Sequence, residues 1–180
     1  MAGIEGLTAA DICARFDANK EALALLRQGM APGEFIQALI ANRQYVNGID
    51  FMAHALPVRE GVWWGCLCVQ HVCGANLTEP DRAALLAAAS WVLWPTEANR
   101  AAAQAPAEAA GRASPAGTLA MAANVAGAAG PVPLSPAKAV ANAVKLATTK
   151  GDPARIADTQ RLFVELGMGV AEGRFTWPSG

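Results

Sequence analysis

The chain has 180 residues, 53% of them hydrophobic, enough for one domain with a sizeable core, although alanine supplies much of that figure and buries little area. Its 14 basic and 15 acidic side chains give a net charge of −1 with no basic stripe, which argues against nucleic acid as a partner. The start, MAGIEGLTAADICARF, lacks the basic stretch and apolar core of a signal peptide, so a cytoplasmic location is expected, with the four cysteines reduced and acting as small hydrophobes.

Thr8 and Asp11 spell a helix start, the threonine as cap and the aspartate reaching back. Ile12 and Phe16, then Leu23 and Leu26, supply an apolar side. Asn19 caps a second helix expected to stop at Gly29. Pro32 opens a third, with Phe35, Ile36, Leu39 and Ile40 at helical spacing. Gly48 to Met52 leads into a helix ending near Leu56.

The stretch 53–73, AHALPVREGVWWGCLCVQHVC, carries two of the five tryptophans, three of the four cysteines and both histidines. Pro57 suits a first helical turn and Gly74 a C-terminal cap, so the pattern predicts a helix over about 57–73. At about 100° per residue, Val62, Cys66, Val69 and Cys73 form one stripe. Glu60, Trp64, Cys68 and His71 form a second, and Arg59, Trp63 and Gln70 a third. A helix apolar on nearly every side belongs inside a protein. Gly61 and Gly65 lower its helix propensity by about 1 kcal/mol each, which suggests close approach by a neighbouring helix. Its apolar run, Gly61 to Val69, is far short of the roughly 20 residues a bilayer requires, so no membrane insertion is expected.

Thr78, Pro80 and Asp81 mark the next helix start, which launches Leu85, Leu86, Trp91, Val92 and Leu93. Pro95 stops that helix and Thr96 caps another. The region 101–134 has few large side chains and is interrupted by Pro106, Gly111, Gly127, Gly130, Pro131 and Pro133, so weak packing is expected there, with a loop at 127–134. Ser135 and Pro136 restart a helix bearing Val140, Val144 and Leu146. Lys150 to Pro153 is a stop and a new start. The last helix presents Ile156, Leu162, Phe163 and Leu166. Residues 174–180 read as a loose tail unless Trp177 docks. No segment has a convincing strand period, so the expected fold is all-α. It is a single domain over 1–173, a helical bundle or short α-solenoid of antiparallel pairs around the central helix.

The string Cys66-x-Cys68-x-x-His71-x-Cys73 has the look of a metal box, but on a helix Cys66 and Cys68 point about 160° apart. They cannot share an ion, and no metal or cofactor is expected. His54, Glu60 and His71 could serve a small enzyme if a pocket gathered them, yet nothing marks a nucleophile beside them. Arg59 has Asp50 as a candidate partner on a neighbouring helix. Adjacent Trp63 and Trp64 send their rings about 100° apart, so one can be buried while the other reaches a groove. Trp63, Trp64, Arg59 and Trp94 are therefore the candidate partner-binding residues.

His54-Ala55-Leu56-Pro57, Arg59-Glu60 and Val62-Trp63-Trp64 resemble the signature of an uncharacterised bacterial family. The stretch Trp91–Arg100, with Ser114-Pro115-Ala116-Gly117 and Lys150-Gly151-Asp152-Pro153, extends the resemblance over about 45–173. Alanine is more usual in that family at positions 61 and 65, and Pro106 interrupts a helix expected to be unbroken. The resemblance implies a place in type VI secretion gene cassettes, as an accessory, adaptor or chaperone-like protein that binds an effector or spike component. It implies no residue with a known activity. The expected function is thus non-catalytic binding of a protein partner, with self-association into a homo-oligomer and the small enzyme as the rival readings.

Overall fold

Polar caps set most of the helix starts. The computed structural model describes residues 6–127 and 134–178. Thr8 accepts from Asp11 N ahead of α1 (Ala9–Cys13), and Asn19 accepts from Ala22 N ahead of α2 (Lys20–Leu23). Pro32 opens α3 (Pro32–Ala41), where the Glu34 carboxylate accepts from Ala31 N at 3.2 Å. Next come α4 (Tyr45–Ala55) and α5 (Val58–Cys73). Thr78, Thr96, Ser114 and Ser135 cap α6 (Glu79–Leu93), α7 (Glu97–Ala102), α9 (Pro115–Val125) and α10 (Pro136–Thr148) through their side-chain oxygens. Between α7 and α9 lies α8 (Gln104–Ala110), and α11 (Ile156–Ala171) closes the series. Each such cap satisfies a backbone N–H that the first turn cannot.

No strand occurs among the described residues, and the helices form one all-α domain. α5 packs against α6, α9, α10 and α11 at once. α10 reaches α4, α5 and α9, while α3 and α11 lie on α4. Contacts that skip along the chain in this way describe a bundle, because a solenoid joins each repeat only to its neighbours. The core collects Trp64, Phe35, Phe51, Phe163 and Leu119, each essentially without solvent contact. Phe35 and Phe51 meet at a tilt, with ring centroids 5.0 Å apart.

Several sequence expectations need correction. α2 ends at Leu23 rather than at Gly29, which instead takes a left-handed turn at φ +69°. Pro57 precedes α5 as its N-cap instead of sitting in its first turn; Gly74 is the C-cap as expected, but right-handed, continuing into a 3-10 turn at Gly74–Asn76. Pro106 does not break a helix: it sits in the first turn of α8, where its missing N–H is not needed, and the interruption falls at Ala103. The expected weak packing of 101–134 is wrong over α9. There Pro115, Ala116, Gly117, Thr118, Leu119, Ala120, Ala122 and Ala123 are all buried. Small side chains let α6, α8 and α10 approach the α9 backbone closely, so packing there comes from proximity instead of side-chain bulk. Most of the loop expected at 127–134, residues 128–133, lies outside the described residues.

Candidate functional site

The four residues singled out from the sequence separate into core and surface. Trp64 is 0% exposed, and its indole N–H donates to Phe163 O at 2.8 Å. It is a core residue, and its burial removes it from any contact surface in this fold. Trp63, one position on, is half-buried and packs against the edge of the core. Its indole N–H donates to Phe175 O at 3.0 Å. Trp94, the C-cap that follows α6, is 57% exposed.

Arg59 ties these surface groups together. Its Nε donates to Val92 O at 2.6 Å and its Nη2 to Leu93 O at 3.1 Å. Those carbonyls end α6, where the helix dipole presents partial negative charge and a guanidinium is favoured. Asp50, the partner expected from the sequence, is 2.7 Å from Lys145 on α10 instead. α5 carries Arg59 toward the end of α6, so the aspartate is left to the next lysine within reach. The other face of the guanidinium lies 4.3 Å from the Trp177 ring centre, a cation–π contact. Trp177 therefore docks, and the described part of the tail lies along the outer stripe of α5.

The tail is held at its root as well. Gly173 takes φ +74°, and Arg174 N and Phe175 N both donate to Gly169 O, at 2.8 and 3.3 Å. A Cβ at Gly169 would collide with the Phe175 ring, so this ring rests on the bare backbone of α11. Glu60, Val170, Phe175 and Trp177 line a cleft of about 220 Å3 beside it. Burial pushes the Glu60 carboxyl up from its ordinary value. Phe175 is the contact that the sequence concealed, because a lone aromatic in a Gly/Pro-bounded tail carries no periodic signal. Around Arg59, then, Trp63 and Trp177 are half-buried, while Val58, Phe175 and Trp94 are exposed.

The residues of the enzyme reading lie in different surroundings. His54 Nδ1–H donates to Asp50 O at 2.8 Å, and its ring stacks on Phe16 with centroids 5.2 Å apart. His71 is exposed and meets Phe163 edge-on. No hydrogen bond joins any two of His54, Glu60 and His71 among the described residues. Cys66 and Cys68 are buried, and burial pushes the Cys66 thiol up to about 12.

Larger clefts lie elsewhere. One of about 530 Å3 runs past Cys73, Asp81, Ser114 and Lys150. Ser114 Oγ donates to Asp81 while accepting from Gly117 N, which joins the starts of α6 and α9. Burial works to raise the Asp81 carboxyl, but hydrogen bonds from Ser114 and Thr78 outweigh it and hold it below the ordinary range. Another cleft, about 640 Å3, lies between α8, α9 and α10, with Met121 and Leu146 in its apolar wall and Arg112 and Lys145 among its polar groups. Lys145 is already occupied by Asp50.

No curated protein and no solved structure matches the chain. A family described as being of unknown function, DUF6931, matches residues 35–171, a stretch that runs from within α3 to the end of α11 and includes Arg59, Trp63 and Trp94. The chain belongs to that family.

Proposed function

We propose that this chain works by contact rather than by catalysis, as a cytoplasmic adaptor or chaperone-like protein of a type VI secretion cassette that holds an effector or spike component. The observation that carries the reading is the aromatic surface at the junction of α5, α6 and the tail. Trp94, which follows the Arg59-bound Leu93 in the chain, is 57% exposed, with Val58 at 39% and Phe175 at 40%. Exposed tryptophan beside a fixed arginine is the composition that concentrates binding energy in protein interfaces. Apolar side chains clustered on a surface are better explained by a partner than scattered ones. The secretion cassette enters through the sequence resemblance alone.

The test is a pull-down from the native bacterium, read by mass spectrometry, with the unchanged chain and a Trp94→Ser variant side by side. A secretion component should be retained by the former and depleted with the latter. Retrieval of no such component above control would overturn the cassette assignment. Equal retention by both chains would move the contact away from Trp94. If the chain meets only a second copy of itself, self-association will be lost with Trp94 and nothing else retrieved.

A further inference from the structure

We infer that the surface carrying Arg59, Trp63 and Gly169 is a receptor for a short extended segment of a partner protein bearing two aromatic side chains two residues apart. The chain's own Phe175-Thr176-Trp177 is the resident occupant that such a segment displaces. This deepens the interaction reading above and rests on it.

The resident shows what the groove recognises. One aromatic ring fills the bare place over Gly169. The Trp63 indole N–H donates to the carbonyl of that same residue, Phe175, at 3.0 Å. The second ring, two positions on, covers the Arg59 guanidinium at 4.3 Å. A backbone acceptor between two ring seats reads an extended aromatic-x-aromatic segment and little of the side chain between them.

Contacts other than those to its occupant fix the receptor. Arg59 is held by Val92 O and Leu93 O, bonds in which Trp177 takes no part. Trp63 extends from a helix whose two flanking faces are locked into the core by Trp64 and Val62. Gly169 lies within α11. A site so pre-organised spends little free energy on ordering when a segment arrives. Moreover, Arg59, Trp63 and Gly169 all fall inside the family-matched residues 35–171, whereas the occupant falls beyond them.

Effective concentration decides the kind of partner. A tethered tail competes at an effective concentration on the order of millimolar. The tail of a second copy makes the same contacts and so loses to the tethered one at ordinary protein concentrations. A displacing segment must gain contacts that the tail does not make. Surface for this lies at the groove's edge, where Trp94 follows the Arg59-bound Leu93 and Val58 precedes Arg59. The geometry thus favours a different protein over a copy of this one.

The experiment uses the full chain with its occupant removed by Phe175→Ala and Trp177→Ala together. A fluorescein-labelled synthetic peptide of residues 172–178 is the probe, and anisotropy the readout. The opened variant should bind the peptide at least about tenfold more tightly than the unchanged chain, whose tail competes. Adding Gly169→Ala, which fills the first ring seat, should weaken that binding by about tenfold or more. Binding by the opened variant no tighter than by the unchanged chain would overturn the proposal, as would indifference to Gly169→Ala. A concentration-dependent dimer of the unchanged chain, abolished by the paired tail substitutions, would overturn the choice of a different protein as occupant. If the double variant loses its helical circular dichroism, Phe175→Ala alone carries the same comparison. Failure here leaves the Trp94 pull-down free to succeed, so the two readings fall separately.

Discussion

Trp64 fills the centre of the core without solvent contact and satisfies its one polar group on Phe163 O. Trp64→Ala should therefore destabilise the chain by about 3–5 kcal/mol in urea denaturation. Trp63→Ala, a half-buried surface change, should cost about 1 kcal/mol or less. A loss under about 1 kcal/mol for Trp64→Ala would place its ring outside the core. The buried thiols give the molecule a defined weakness toward alkali. Burial raises Cys66 to about 12, whereas a thiol in the unfolded chain titrates near 9.0. The unfolded state thus loses the proton first, and between these values it binds fewer protons than the folded state. The thiol's contribution is fully present below about pH 9 and disappears as pH rises through the folded value, at up to ~1.4 kcal/mol per pH unit. Urea midpoints measured near pH 8 and near pH 10 should fall less in Cys66→Ala than in the unchanged chain. Equal falls would mean that the thiol is not shielded. Paired tryptophans and a cysteine-rich helix are visible in the sequence. Which tryptophan turns inward is not, because the helix's rotation depends on what lies opposite.

At the scale of elements, glycines that look alike in the sequence have different duties. At Gly61 the nearest atoms to an added Cβ, from Leu56 and Val140, are all 4.0 Å away, which is ordinary contact. Gly61→Ala should stabilise the chain by ~0.4–1 kcal/mol, since α5 gains helix propensity and the unfolded chain loses freedom. At Gly117 the same Cβ would run into the Gly111 carbonyl and come within 3.0 Å of Ala110 Cβ. Backbone cannot yield as a side chain can, so Gly117→Ala should destabilise by ~1–3 kcal/mol. Thermal denaturation of the two variants should move in opposite directions, and a shift of the same sign would refute the close approach of the turn before α9. Gly65 is intermediate, for it faces the flexible end of Leu119. The close approach expected at α5 is thus met at Gly65 by a side chain, and the tighter backbone approach lies at α9, where the sequence had suggested slack. Alanine and glycine read as slack because pattern analysis weighs side-chain bulk and cannot see how near a neighbouring backbone will come.

Across the whole molecule, the all-α class, the principal helix starts and the burial of α5 follow from local chemistry. Hydroxyl and amide caps, prolines in first turns and apolar residues at helical spacing act within a few residues of each other, so the chain states them directly. The pairing of Asp50 with Lys145, the Arg59 anchor on the end of α6 and the docking of the tail are of another kind. Each joins groups separated by 33 or more positions along the chain. Local pattern carries no record of such distances. The candidate surface is therefore legible in part: Arg59, Trp63 and Trp94 stand out by residue type, whereas nothing local turns Trp64 inward or marks Phe175. Sequence alone determined that this protein would be helical and organised about one apolar helix. Only the tertiary structure decided which side of that helix stayed outside and what lay upon it, because those outcomes depend on backbones meeting in space rather than on residues meeting in order.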